Sequence, residues 1–150
     1  MEKLGLNFKS IKKILIPTDG SEHSIRAAQY GISIAKMVGA QITAVFVVDE
    51  YVLDQIAKIT ERETAVRELE EQGKVNVNFV KDMAGKEGIS TTSLIAQGRP
   101  FERIVHIAKD LNVDLIVMGT YGRRGTDRIL IGSVTERVIE YVSCPVLVIK

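Results

Sequence analysis

Apolar residues are spread along the chain in two alternating ways. Short unbroken runs, rich in β-branched residues, are separated by longer stretches in which apolar residues recur at steps of three and four. An unbroken run suits a strand covered on both faces, and the stepped pattern suits a helix with one buried stripe. From the N-terminus, "KKILIP" is a first strand stopped by Pro17, and "TDGSEHS" supplies turn and helix-capping residues. Ile25, Ala28, Ile32 and Ala35 mark a first helix closed by Gly39, and "QITAVFVV" is a second strand. Residues 51–88 are highly charged, with Ile56, Ile59, Val66 and Leu69 at roughly helical spacing. A break is expected at Gly73 or across Asn76–Asn78, followed by a second helical piece carrying Val80, Met83 and Ala84 and ending near Gly88. The acidic run "ERETAVRELEE" fits a solvated helix face with i, i+4 ion pairs.

The second half repeats the alternation more clearly. "TTSLIAQG" is a third strand, and Pro100 opens a helix whose apolar stripe is Phe101, Ile104, Val105, Ala108 and Leu111. "DLIVMG" is a fourth strand, residues 133–142 form a last helix with Val134, Val138, Tyr141 and Val142 inward, and "CPVLVIK" is a fifth strand. Strands alternating with helices throughout predict an α/β fold: an open five-stranded parallel sheet with helices on both faces, Rossmann-like in plan.

Composition narrows this picture. A chain of 150 residues predicts one domain spanning 1–150, with residues 1–10 as a polar N-terminal arm. Hydrophobic content of 45% and charged content of 26% lie in the globular range, so a core can form without staples. The net charge of +1 supplies no field for nucleic acid or an anionic membrane. No run approaches the roughly 18 apolar residues of a membrane span, and the N-terminus lacks a signal-peptide stretch, so a soluble cytoplasmic protein is expected. Cys144, the single cysteine, precludes an internal disulfide and is expected to be buried and inert. His23 and His106 stand apart, His106 on the outer face of its helix, and no Cys/His cluster suggests zinc.

The chemistry concentrates in "GTYGRRGTDRILIGSVTE", residues 119–136. "GTYGRRG" leaves the carboxyl end of the fourth strand, the edge at which open α/β sheets bind ligands. Its glycines permit close approach of a ligand to the backbone and can form an anion-binding nest, with Arg123, Arg124 and Arg128 adding positive charge. Ser133 followed by Glu136 has the capping-box pattern, which makes Ser133 the expected N-cap of the last helix, and a helix N-terminus is a phosphate site. The segment "TDRILI" is expected to span the gap between these two elements. The loop lacks the Lys-Ser or Lys-Thr of a Walker A motif, and the early turn "PTDGS" has one glycine where a dinucleotide fingerprint needs three.

The spacing of Gly119, Gly122, Gly132 and Ser133, G-x2-G-x9-G-S, resembles that of the ATP-binding members of the universal stress protein family. "KKILIPTDGSEHSIRAA", "VFVVDE", "DLIVMGTYGRRG" and "IGSVTERVI…CPVLVIK" extend the resemblance over nearly the whole chain. It implies the adenine nucleotide alpha hydrolase-like version of the fold and binding of ATP, with AMP or ADP as further candidates, together with Mg2+ or Mn2+. It also implies residue roles. Asp19 and Pro17, with Thr18 between them, would lie by the adenosine, and Val47 would meet adenine through its backbone. Met118, Gly119 and Thr120 would sit near adenine and ribose. Gly122, Arg123, Arg124 and Gly125, with Gly132, Ser133 and Val134, would hold the phosphates. Thr126 departs from the apolar residue common there. On its own, Asp19 reads more readily as a cap of the first helix, and it is the glycine motif that tips it toward binding. The family pairs its terminal strand with that of a second subunit, which implies a homodimer through Pro145, Val146, Leu147, Val148 and Ile149. The implied role is a nucleotide-dependent regulatory or stress-response switch. The alternatives are a slow ATPase, for which Asp127 is the sole carboxylate in the loop, and a dimeric scaffolding module without nucleotide.

Overall fold

A computed structural model describes residues 10–120 and 131–150. Five strands, β1 (Lys13–Pro17), β2 (Gln41–Asp49), β3 (Thr91–Gly98), β4 (Leu115–Gly119) and β5 (Val146–Ile149), form one parallel sheet in the order β3-β2-β1-β4-β5. The five helices are α1 (Glu22–Val38), α2 (Glu50–Asp54), α3 (Ile59–Lys86), α4 (Pro100–Asp110) and α5 (Ser133–Tyr141). The expected α/β architecture is thus the observed one. Among the described residues no helix is long and apolar enough to cross a membrane.

Each strand feeds two cores, which is why its sequence runs apolar without interruption. Ile14, Ile16, Phe46, Val48 and Val117 point to one face, where Ala27, Ala28 and Ile32 of α1 and Val77, Val80 and Ala84 of α3 cover them. Leu15, Val45, Ile116 and Met118 point to the other, under Ile104, Ile107 and Ala108 of α4 and Val138 of α5. Two expected core residues are displaced. Leu111 is the C-cap of α4 and largely exposed, while Ile107 takes its place in the stripe. Tyr141 is also exposed, at the end of α5, where its ring lies 6.0 Å from that of Phe101.

The main correction concerns residues 51–88. There is no break at Gly73 or at Asn76–Asn78: α3 is one helix of 28 residues, preceded by the short α2. Its buried residues, Gly73, Val77, Val80 and Ala84, all lie in the second half, where the helix runs back across β2 and β3. At about 1.5 Å per residue the helix is roughly 42 Å long, against about 30 Å for β2, so about two turns exceed the strand, while Ala65, Val66 and Leu69 already pack against the core. Ile59 is exposed, and the ion pairs Lys58–Glu61 and Glu71–Lys74 stand at i, i+3 on the surface. Tertiary packing overrides propensity at Gly73, because a Cβ there would lie 2.4 Å from Cδ1 of Phe46. Glycine is what lets the helix reach the sheet.

Two substitutions in α3 separate packing from propensity. Gly85→Ala meets nothing within 4 Å and should stabilise the fold by about 0.5–1 kcal/mol through helix propensity alone. Gly73→Ala gains the same propensity but must displace the Phe46 ring, an overpacking cost of about 1–3 kcal/mol, so a net loss is expected. Urea midpoints at constant m-value report both. Shifts of the same sign would contradict the packing assignment.

Candidate functional site

The strand order reverses direction between β1 and β4. Chain connections leave these neighbours toward opposite sides, which opens a crevice at their carboxyl ends. The turn after β1 forms one wall. Thr18 N–H donates to Val45 O at 2.8 Å, which extends the ladder by one bond, and the residue is buried. Its hydroxyl lies 3.2 Å from that of Ser24. Ser24 Oγ donates to Ser21 O at 2.9 Å, so its remaining role toward Thr18 is acceptor. Thr18 Oγ1 in turn accepts from Gly20 N–H at 3.4 Å. The Thr18 side chain is therefore committed inward as a pin. Asp19 Oδ1 accepts from Ser21 N–H at 2.9 Å and braces the turn, while the cap of α1 is Ser21, whose Oγ accepts from Ser24 N–H. Asp19 is not the helix cap.

The opposite wall is β4 and the start of α5. A Cβ on Gly119 would lie 2.8 Å from the carbonyl carbon of His23 and 2.9 Å from its oxygen. The missing side chain at 119 thus admits the first turn of α1. Thr135, buried in α5, donates from Oγ1 to Gly119 O at 2.8 Å. Thr120 N–H donates to Ile149 O at 3.0 Å, and Thr120 O accepts from Gly132 N–H. The last contact changes the picture of the glycine motif. Thr120 and Gly132 meet directly, while "TDRILI", expected to span from one half to the other, lies outside the described residues except for Ile131.

The capping assignment also changes. Gly132, not Ser133, is the N-cap of α5, with no side-chain cap hydrogen bond, and Ser133 is its exposed first residue. The backbone of Gly132 carries the extended conformation that a cap needs, φ −65° and ψ 154°. Val134 packs into the α4–α5 core instead of toward the crevice, and the Met118 side chain is buried there too.

Val47 lies on the neighbouring strand, in register with Ala96 of β3. β1 ends opposite Val45, so β2 continues alone on that side. Val45 turns its carbonyl toward β1, and by the two-residue alternation of a strand Val47 does the same. The backbone N–H and C=O of Val47 therefore face the space above the β1 turn. Pro17 closes β1 below it, half-buried.

Of the residues singled out from the sequence, Pro17, Thr18, Asp19, Val47, Met118, Gly119, Thr120, Gly132, Ser133 and Val134 gather at this edge. Gly122, Arg123, Arg124 and Gly125, with Thr126, Asp127 and Arg128, lie outside the described residues. Sequence reasoning overlooked Thr135, Ser24 and the backbone of His23; the signals available were hydroxyls at the third positions of α5 and α1. Among the described residues no group of three His, Cys, Asp or Glu side chains could hold a metal. His106 is exposed, and half-burial beside the α4–α5 core pushes the Cys144 thiol above its ordinary range, consistent with an unreactive side chain.

Residues 10–150 match the model of the universal stress protein family. Universal stress protein MJ0531 of Methanocaldococcus jannaschii is 43% identical over 139 residues, covering 93% of this chain and 82% of the relative. The solved structure of MJ0577, from the same organism, superposes with a TM-score of 0.84 at 34% identity, covering 93% of this chain and 96% of the other. A universal stress protein of Archaeoglobus fulgidus, solved in complex with dAMP, has the same fold, with a TM-score of 0.70 at 21% identity over 93% of this chain and 98% of the other. With its closing strand, its crevice and its glycine-serine spacing in place, the chain belongs to the universal stress protein family.

Proposed function

We propose that this protein binds ATP in the β1–β4 crevice and acts in the cytoplasm as a nucleotide-dependent regulatory switch. The observation that carries the reading is the uncapped start of α5. Among the described residues no side chain caps the first N–H groups of that helix, and the Gly132–Thr120 hydrogen bond holds them beside the end of β4. A helix N-terminus of this kind attracts phosphate through its free N–H groups and its dipole. In the proposed pose Gly132 and Ser133 meet the phosphates together with the loop carrying Gly122, Arg123, Arg124 and Gly125. Adenine sits over Thr18 and Asp19 and pairs with the backbone of Val47, and Met118, Gly119 and Thr120 contribute backbone near the ribose. Val134 supports the helix from the core side. The half-buried Asp19 and the missing side chain at Gly132 fit a nucleotide, and the dAMP complex of a relative with the same fold adds to the case. A divalent ion, Mg2+ or Mn2+, would be held by the phosphates themselves, since the described residues offer no carboxylate cluster.

The dimer belongs to the same proposal. Among the described residues β5 pairs with β4 alone, which leaves its outer edge open, and Val146, Leu147 and Val148 are half-buried within one subunit. Pairing of Pro145–Ile149 with a second copy removes that edge.

Calorimetric titration of ATP with Mg2+, after denaturation and removal of any co-purified nucleotide, tests the site. Wild type should bind, and Gly132→Val should lose at least tenfold in affinity while keeping the fold and oligomeric state; normal binding by the variant would remove the phosphates from the start of α5. For the dimer, the carbonyls of Pro145 and Ile149 accept from Ile116 and Thr120 of the same subunit, which turns the N–H of Val148 outward. Val148→Pro should leave the β4–β5 ladder intact and yield monomers in sedimentation at micromolar concentration, where wild type is dimeric. A monomeric wild type would refute the pairing.

A further inference from the structure

Asn76 lies in the middle of α3 and faces the turn that follows β1. Gly20 of that turn has φ +81°, and a Cβ there would lie 2.7 Å from Oδ1 and 2.8 Å from Nδ2 of Asn76. The amide is packed flat against the Gly20 backbone. Its Nδ2 is shut off from solvent and has no hydrogen-bond partner. An enclosed amide donor without an acceptor is a destabilising arrangement, and native structures keep few of them. The side chains around it do not explain why asparagine stands here, since Val77 and Val80 on the same helix are apolar and fully buried. What the amide does face is the turn at Gly20, whose neighbour Asp19 belongs to the proposed nucleotide site.

We propose that Asn76 is a positioning residue for the crevice: when nucleotide fills the site, the Asp19–Gly20 turn settles so that Nδ2 gains the acceptor it lacks. This rests on the nucleotide reading given above. A ligand shifts a conformational equilibrium only through contacts that differ between the two states, and a hydrogen bond absent from one state and present in the other is such a contact. It also places α3 in direct touch with occupancy of the site.

The test uses the full-length chain with Asn76→Ala, Asn76→Asp and, as a control on the same helix, Asn78→Ala. ATP affinity is measured by calorimetry, thermal stability is measured without nucleotide, and the Asn76 side-chain amide is followed by NMR. The expected result is opposite signs. Asn76→Ala removes the stranded donor, so the nucleotide-free protein is as stable as wild type or more so, while ATP affinity falls three- to tenfold. Asn76→Asp, which keeps the shape but not the donor, loses affinity as well; Asn78→Ala does not. In wild type, ATP shifts the Asn76 side-chain amide resonance and slows its exchange. If wild type binds ATP and both Asn76 variants bind it equally well, the inference fails while the site stands. If stability and affinity fall together and the amide resonance does not respond to ATP, Asn76 is merely structural and the inference fails. If wild type binds no ATP, the nucleotide reading fails and this inference with it.

Discussion

The backbone of His23 occupies the space where a side chain at position 119 would have to be. Much of the geometry at the carboxyl edge depends on that contact. It sets the first turn of α1 directly against the end of β4, so the two strands at which the sheet order reverses finish in one shared rim. The rim is then fastened from both sides by buried hydroxyls. Thr18 ties the β1 turn down to Ser24 of α1, and Thr135 ties α5 to the carbonyl of Gly119. A larger residue at 119 would move α1 and with it the Ser21 cap and the Asp19 turn. The rim is thus built on packed backbone, with the buried hydroxyls of Thr18 and Thr135 fixing it in place without a ligand.

Close approach through glycine recurs across the molecule. Gly31 lets α1 settle on Ile16, and Gly73 does the same for α3 on Phe46. Both contacts lie on the face of the sheet away from α4 and α5, where the helices must fit over β1 and β2 at short range. The other face uses larger residues, Ile104, Ile107 and Val138, and the close approach there, at Gly98, admits the side chain of Arg103 in place of a helix resting on the sheet. The two layers differ in consequence: one is drawn tight against the strands that carry the turn of Asp19, and the other is filled by branched side chains.

The strands were legible because burial on both faces leaves no room for polar alternation, and this made the sheet, its order of elements and its carboxyl edge readable from apolar runs alone. The helix α3 was not, because the two features that look like breaks have tertiary causes. Gly73 is small for the sake of Phe46, and Asn76 faces Gly20, a residue 56 positions earlier in the chain. No local pattern carries that information. The spacing of Gly119, Gly132 and Ser133 pointed to the correct edge, but it did not show which residue caps α5, since "GS" offers two candidates and serine is ordinarily the better one. Thr135 was invisible for the same reason that it matters: its partner, the Gly119 carbonyl, is sixteen residues away.

The choice of glycine as cap bears on where the proposed phosphates sit. Two helices begin at the crevice, and both have N–H groups directed toward it. At α1 side chains already take two of these: Ser24 N–H donates to the Ser21 hydroxyl and Ser21 N–H to Asp19. That helix is sealed by its own side chains and has little left to offer an anion. At α5 the cap carries no side chain, no side-chain cap hydrogen bond forms among the described residues, and Ser133 is exposed. A serine at the cap would have given the helix an internal partner and so competed with a ligand for the same N–H groups. Glycine gives up that local stabilisation and leaves the helix end incomplete. Thus in the proposed pose the polarity of the site follows from capping: the sealed end would support the adenosine side through Asp19, and the unsealed end would receive the negative charge.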